Sequence, residues 1–142
     1  MAQLNSSRVI LGGLAAGLVM NLIDATTNGF LLGARWEAET RALNPGLLEK
    51  AASGTLGWVL VDFILGILTV WTYAAVRPRL GPGPRTALKA GFVIWLASHA
   101  AYASYAFMGY YSWSLVGASS LGGLVAALAG AYVGARLYRE AA

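Results

Sequence analysis

Four long apolar runs, none containing proline, constrain this chain more than any other feature. They cover about Val9–Gly33, Thr55–Val76, Leu88–Met108 and Ser114–Leu137. A bilayer core about 30 Å thick takes roughly 20 apolar residues per helix, and each run is long enough. The runs are continuous rather than alternating, so helices suit them and the strands of a membrane barrel do not. All four prolines (Pro45, Pro78, Pro82, Pro84) fall between the runs, where a missing N–H does no harm. The expected fold is all-α: an integral membrane four-helix transmembrane bundle, antiparallel and up-down, forming a single domain over residues 1–142. Arg8 followed by the unbroken stretch Val9–Met20 imitates a signal peptide. No A-x-A cleavage site follows, and the apolar pattern resumes after Asn28, so an uncleaved anchor is expected.

Composition agrees and excludes several chemistries. The 142 residues are 58% hydrophobic and 11% charged, with mean hydropathy +0.61. A soluble domain carries about 25% charged residues, so this chain has too few to cover a water-facing surface. It has no cysteine, which removes disulfides, thiolate metal sites, iron–sulfur clusters and cysteine nucleophiles. Its single histidine rules out bis-histidine haem ligation and three-histidine zinc within one chain. No cofactor is indicated.

The charges read as topology signals. Arg8, the loop residues Arg77, Arg79, Arg85 and Lys89, and the later Arg136 and Arg139 fall on one side of the expected membrane. Arg35, Arg41 and Lys50 fall on the other, among Glu37, Glu39 and Glu49. Seven basic residues against three orient both termini and the Arg77–Lys89 loop toward the cytoplasm. The net charge of +4 therefore implies contact with the lipid bilayer rather than nucleic acid. Arg77, Arg79, Arg85 and Lys89 are the candidates for anionic headgroups. Trp36, Tyr110, Tyr111 and Trp113 would form an outer aromatic belt, and Trp71, Tyr73 and Tyr138 an inner one. In the outer loop, Glu37 and Arg41 are spaced to pair on a helix extending the first span. Asn44-Pro45 reads as the start of a short surface helix through Leu47, Leu48 and Ala51. Pro78 should stop the second helix and Pro84 start the third.

Helical faces bring the remaining polar residues together. On the first span Gly13, Gly17, Met20, Asn21, Asp24, Thr27 and Asn28 share one face, and Gly13 with Gly17 forms a G-x-x-x-G contact. Asp62, Gly66, Thr69 and Tyr73 share a face of the second. His99 and Tyr102 share one on the third. On the fourth, Gly123, Gly130 and Gly134 form a seam of small residues with Ser119 and Ser120. At 1.5 Å per residue, Asp24 and Asp62 lie about 24 and 21 Å from the same membrane face. An intramembrane carboxylate costs roughly 2.5–3.5 kcal/mol and is a functional candidate by default. With no buried Lys or Arg to pair with, at least one of the two is expected to carry a proton at neutral pH. Asp24, Asp62, Asn28, His99 and Tyr102 form the candidate ligand, ion or proton site. Two aspartates and a histidine are suitable metal ligands by type, but no spacing supports a metal centre. No catalytic constellation is recognisable, and a G-x-S-x-G elbow is absent.

The stretch Gly29-Phe30-Leu31-Leu32-Gly33-Ala34-Arg35-Trp36 resembles the aromatic–glycine–x–x–Trp stretch that follows the first helix in a family of small bacterial four-helix membrane proteins of unknown function. The tryptophan–tyrosine pair found earlier in that family is absent; Asn28 and Gly29 stand there. The resemblance covers the first helix only. It implies a bacterial inner-membrane protein and transfers no activity. Two functions compete on this sequence. One is a binding or transport module built on Asp24 and Asp62. The other is a non-enzymatic accessory subunit, packing through its glycines into a homo-oligomer or a larger membrane complex.

Overall fold

The structure is a computed structural model and describes residues 4–140. Its described residues are helices and connecting turns, with no strand among them. Helix α1 (Ser6–Asp24) runs without a break into a π-helical segment, Ala25–Leu31. Helices α2 (Gly33–Leu43), α3 (Leu47–Leu80), α4 (Pro84–Tyr102), α5 (Ser104–Phe107) and α6 (Trp113–Leu137) follow. Three of these stretches are long and apolar enough to cross a membrane: Ser6–Leu31, Leu47–Leu80 and Trp113–Leu137. Large apolar side chains face outward along them, among them Leu18, Leu22, Ile64, Leu121 and Val125. That is the surface a lipid-embedded helix presents.

The helix ends follow local chemistry. Asn5 caps α1 by accepting from the Arg8 amide at 3.2 Å, and Ser112 caps α6 by accepting from Leu115 at 3.2 Å. Gly81 (φ 80°) ends α3 in a backbone conformation that L side chains avoid. Pro84 occupies the first position of α4, as its spacing predicts.

Several expected boundaries move. Pro78 does not stop the second helix: it sits inside α3, exposed and close to the end. There its ring removes only one late backbone bond, and Gly81 supplies the stop. Asn44 does not N-cap the following helix; it is the C-cap of α2, its backbone N–H donating to Thr40 O. Its Oδ1 accepts from Gly46 N at 2.9 Å in a tight turn. The residues expected to form a separate surface helix are instead the first turns of α3. The third expected span is shorter than Leu88–Met108. Helix α4 ends at Tyr102, and the chain tightens there, with Ala106 N bonding Ala103 O at 3.0 Å. Its last turns hold Ser98, His99 and Tyr102, so it is less apolar than the other three.

Small residues set the helix spacing. Helix α1 lies against α3 and α6, and α4 lies against α6 and α3. A Cβ added at Gly13 would stand 2.5 Å from Ile67 Cα, and one at Gly17 would stand 2.7 Å from Phe63 Cα. Gly66 faces them: its Cβ would fall 2.5 Å from both Gly13 O and Gly17 N. On α6, Gly130 abuts Ala16 and Met20, Gly134 abuts Gly12 and Val70, and Gly123 abuts His99. These contacts pair rising with falling numbers, so α3 and α6 both run antiparallel to α1. They also correct one expectation. The glycine seam of α6 is occupied within the chain by α1, α3 and α4, so it does not offer a free subunit interface. Close backbone approach has consumed it.

Candidate functional site

Asp24 is the last residue of α1 before the π-helical segment, and Asp62 lies midway along α3. Their carboxyl groups face each other at hydrogen-bonding range. Helix register alone would separate them. Gly13 meets Ile67, Gly17 meets Phe63, and Asn21 bonds Val59, so Asp24 lies a turn or more beyond the level of Asp62. Side chains tilt toward the N-terminus of their own helix. In an antiparallel pair the two tilts converge, and the carboxyls meet between the backbones. Asn21 braces the contact one turn away: its Nδ2 donates to Gly17 O at 2.9 Å and to Val59 O at 3.2 Å.

No cation partners either acid. The ion pairs among the described residues are Arg35–Glu39, Arg41–Glu37 and Arg77–Glu140. Asp62 is only 9% exposed, and Asp24 Oδ1 is buried without a donor. An ionised carboxylate only accepts hydrogen bonds. Two that face each other in the interior are held together by a proton on one of them or by a cation between them.

A cavity of about 30 Å³ adjoins the pair. It has room for a water molecule but not for a hydrated ion or an organic solute. Ser98, His99 and Trp95 line its α4 side, Gly123, Ala126 and Ala127 its α6 side. His99 Nδ1 lies 3.2 Å from both Trp95 O and Ser98 Oγ. Nε2 is seated in the space Gly123 leaves open: a Cβ there would approach it to 2.4 Å. The ring stacks on Trp95 at 5.6 Å. Among the described residues no group of three or more acidic or histidine side chains is placed to hold a metal ion. The two-aspartate, one-histidine set is therefore not assembled as a metal centre, although all three line one cavity.

Tyr102 and Asn28 are joined through Ser119 one layer farther along, toward the Trp36 end. Ser119 Oγ donates to Asn28 Oδ1 at 2.7 Å, and Trp36 Nε1 donates to the same oxygen at 3.2 Å. Ser119 has only one proton, so Tyr102 donates to Ser119 across their 3.3 Å contact. Four side chains from four helical elements are thereby joined. His99 touches Tyr102 edge-on at 5.6 Å and connects this chain to the acid pair. All five sequence-predicted site residues thus lie in one continuous region. Asn21, Trp36, Ser98 and Ser119 belong to it as well. Asn21 and Ser119 lie on faces that helical periodicity already marks, whereas Trp36 reaches Asn28 only because the chain bends at Leu32.

No family model, curated protein or solved structure matches this chain. The reading of the site therefore rests on its own geometry.

The basic end is built differently. Arg77 is half-buried and engaged by Glu140, which corrects its assignment as a free lipid contact; Arg79, Arg85 and Lys89 remain exposed. A larger cavity of about 280 Å³ opens there between α3, α4 and α6. Arg136 is the charged residue in its lining, and its guanidinium is turned onto Tyr132. It holds no pair of groups able to exchange a proton or bind a cation. At the opposite end Glu39 clamps α2 to the start of α6, accepting from Ser112 N and Oγ at 2.7 Å each. Burial pushes the Glu39 carboxyl up, but those two bonds and the charge of Arg35 outweigh it and hold the group below its usual range.

Proposed function

We propose that this protein is an integral membrane ion-binding or transport module whose working site is the Asp24–Asp62 pair. The observation that carries this reading is the pair itself: two carboxyls facing each other inside an apolar helical assembly, with no basic partner. Buried acids are expensive in lipid and are retained with a partner or a use. Asn28, His99 and Tyr102 complete the polar surroundings. In this reading α4 crosses the membrane with the three longer helices, giving four spans, and the lysine and arginine distribution puts both termini in the cytoplasm of a bacterial inner membrane. Homo-oligomerisation or assembly with a larger complex through surfaces other than the glycine seam is compatible with it.

The test is reconstitution. Purified protein in liposomes should carry an ion current or dissipate an imposed pH gradient. Asp24→Asn and Asp62→Asn should each abolish that flux while the helical circular dichroism stays unchanged. Equal flux in the wild type, both variants and empty liposomes would refute the proposal.

A further inference from the structure

The site is walled differently on its two sides. Toward the basic end the helices pack through glycine and alanine around Val9, Ala16, Val70, Ala74 and Ala87, all buried. Backbone touches backbone there at Gly13, Gly66 and Gly134. The hydroxyl buried without a partner in this half is Thr69, too isolated to form a path. Toward the Trp36 end the walls are polar. The Tyr102–Ser119–Asn28–Trp36 chain covers the pair, and beyond it the exposed Arg35, Ser112 and Ser114 hydrogen-bond with one another and with Glu39. The segment that carries Asn28 is the π-helix, none of whose residues is buried. A π-turn is a less stable geometry that recurs at functional sites.

The small cavity also constrains the ion. A bound metal cation needs several oxygen ligands around it. Beyond the two carboxyls this cavity offers the His99 imidazole and Ser98, whose hydroxyl is engaged by Ile94 O and Trp95 O; the rest of its lining is Met20, Leu65, Ile94, Trp95, Gly123, Ala126 and Ala127. The titratable groups facing the pair are His99 and Tyr102 from α4; α6 contributes none. A proton needs no coordination shell and satisfies two facing carboxyls at once.

We infer that the ion is a proton, and that in this conformation it reaches the Asp24–Asp62 pair from the Trp36 face, past a gate formed by Tyr102, Ser119 and Asn28, so that flux across the membrane requires a second conformation open to the other side. The inference rests on the acid pair being the working site, and the experiment separates the two. The chain has no cysteine, so S53C and R139C, each labelled by an impermeant thiol reagent, select vesicles of known orientation. A hydrophobic carbodiimide, which attacks protonated carboxyls, is added while the pH on each side is set independently, and modification is read by intact mass. Raising the pH by one unit on the Trp36 side should slow labelling by up to about tenfold, the limit for one proton. The same change on the Arg139 side should leave it unaltered. Tyr102→Phe and Ser119→Ala should each speed labelling by about twofold to tenfold, the weight of one lost hydrogen bond. Labelling that follows the Arg139 side, or both sides equally, overturns the inference, as does slower labelling in the gate variants. Labelling that is unchanged in an Asp24→Asn, Asp62→Asn double variant overturns the acid pair itself.

Discussion

Gly66→Ala tests the fold and the site together. The added methyl carbon would stand 2.5 Å from Gly13 O, 2.5 Å from Gly17 N and 2.9 Å from Gly17 Cα. Ordinary contacts between such atoms begin near 3.5 Å, so relief requires about 1 Å of separation between α1 and α3. The obstruction is backbone on both sides, and no side-chain rotation removes it. Overpacking of this kind costs typically 1–3 kcal/mol. Asp24 and Asp62 belong to the same two helices, so their contact should open as well. Gly57→Ala on the same helix is the control: nothing lies within 4 Å of its added Cβ, and its effect should stay within about 0.5 kcal/mol. Reversible unfolding in mixed micelles should therefore show a loss of about 1–3 kcal/mol for Gly66→Ala against near-neutrality for Gly57→Ala. Carbodiimide labelling of the acids should change only in the first. Equal stability of the two variants would refute the close α1–α3 approach and, with it, the account of how the carboxyls meet.

Three further outcomes are expected. Asp24→Asn and Asp62→Asn should abolish flux yet leave stability within about 1 kcal/mol of wild type, because a buried polar pair contributes little net stability when an amide can still hydrogen-bond to the remaining acid; loss of folding in both would show a structural role instead. Gly123→Ala places a Cβ 2.4 Å from His99 Nε2, so the ring should leave its seat, which a shifted histidine resonance in nuclear magnetic resonance would reveal, while Gly117→Ala, with open space around it, should not move it. The Glu39 clamp should be pH-dependent with a definite sign: because its folded value lies below the ordinary 4.5, its contribution is fully present above that value and is lost as the pH falls through the lowered one, so the protection factors of the Ser112 and Leu115 amides, taken against intrinsic exchange at each pH, should fall in acid, and Glu39→Gln should flatten that response.

Much of the site was legible because its residues are anomalies. Aspartate inside an apolar run is conspicuous whatever the fold, and helical periodicity sets Asp24 and Asn28 on the face of Gly13 and Gly17. What periodicity cannot supply is how far one helix slides along another. The register of α1 against α3 is set by Gly66 fitting between Gly13 and Gly17, a property of two surfaces rather than of either sequence. The α6 seam shows the same limit: small residues announce close packing but do not name the partner, which here is α1, α3 and α4 of the same chain. The end of α4 at Tyr102 carries no proline or glycine signal, and the π-helical segment after Asp24 carries only Gly29, which does not announce a change of hydrogen-bond register. Pro78 misled in the opposite direction, since a proline near the C-terminal end of a helix removes too little to end it.

The two halves of the molecule also divide its work physically. Backbone contacts at Gly13, Gly17, Gly66 and Gly134 leave the basic half no room to close further, since inward displacement there meets main chain on the other side. The other half is held by single hydrogen bonds through Asn28, Ser119 and Tyr102, each worth about 0.5–1.5 kcal/mol, by the paired Glu39–Ser112 bonds at its outer edge, and by a π-helix with no buried residue. Asp24 stands at the junction, the last residue with ordinary helical pairing before the register changes. A change in its protonation would alter the contact with Asp62 at the point where stiff structure gives way to compliant structure. On the proposed reading, a single proton on the acid pair would bias the polar half without disturbing the half that keeps the helices together.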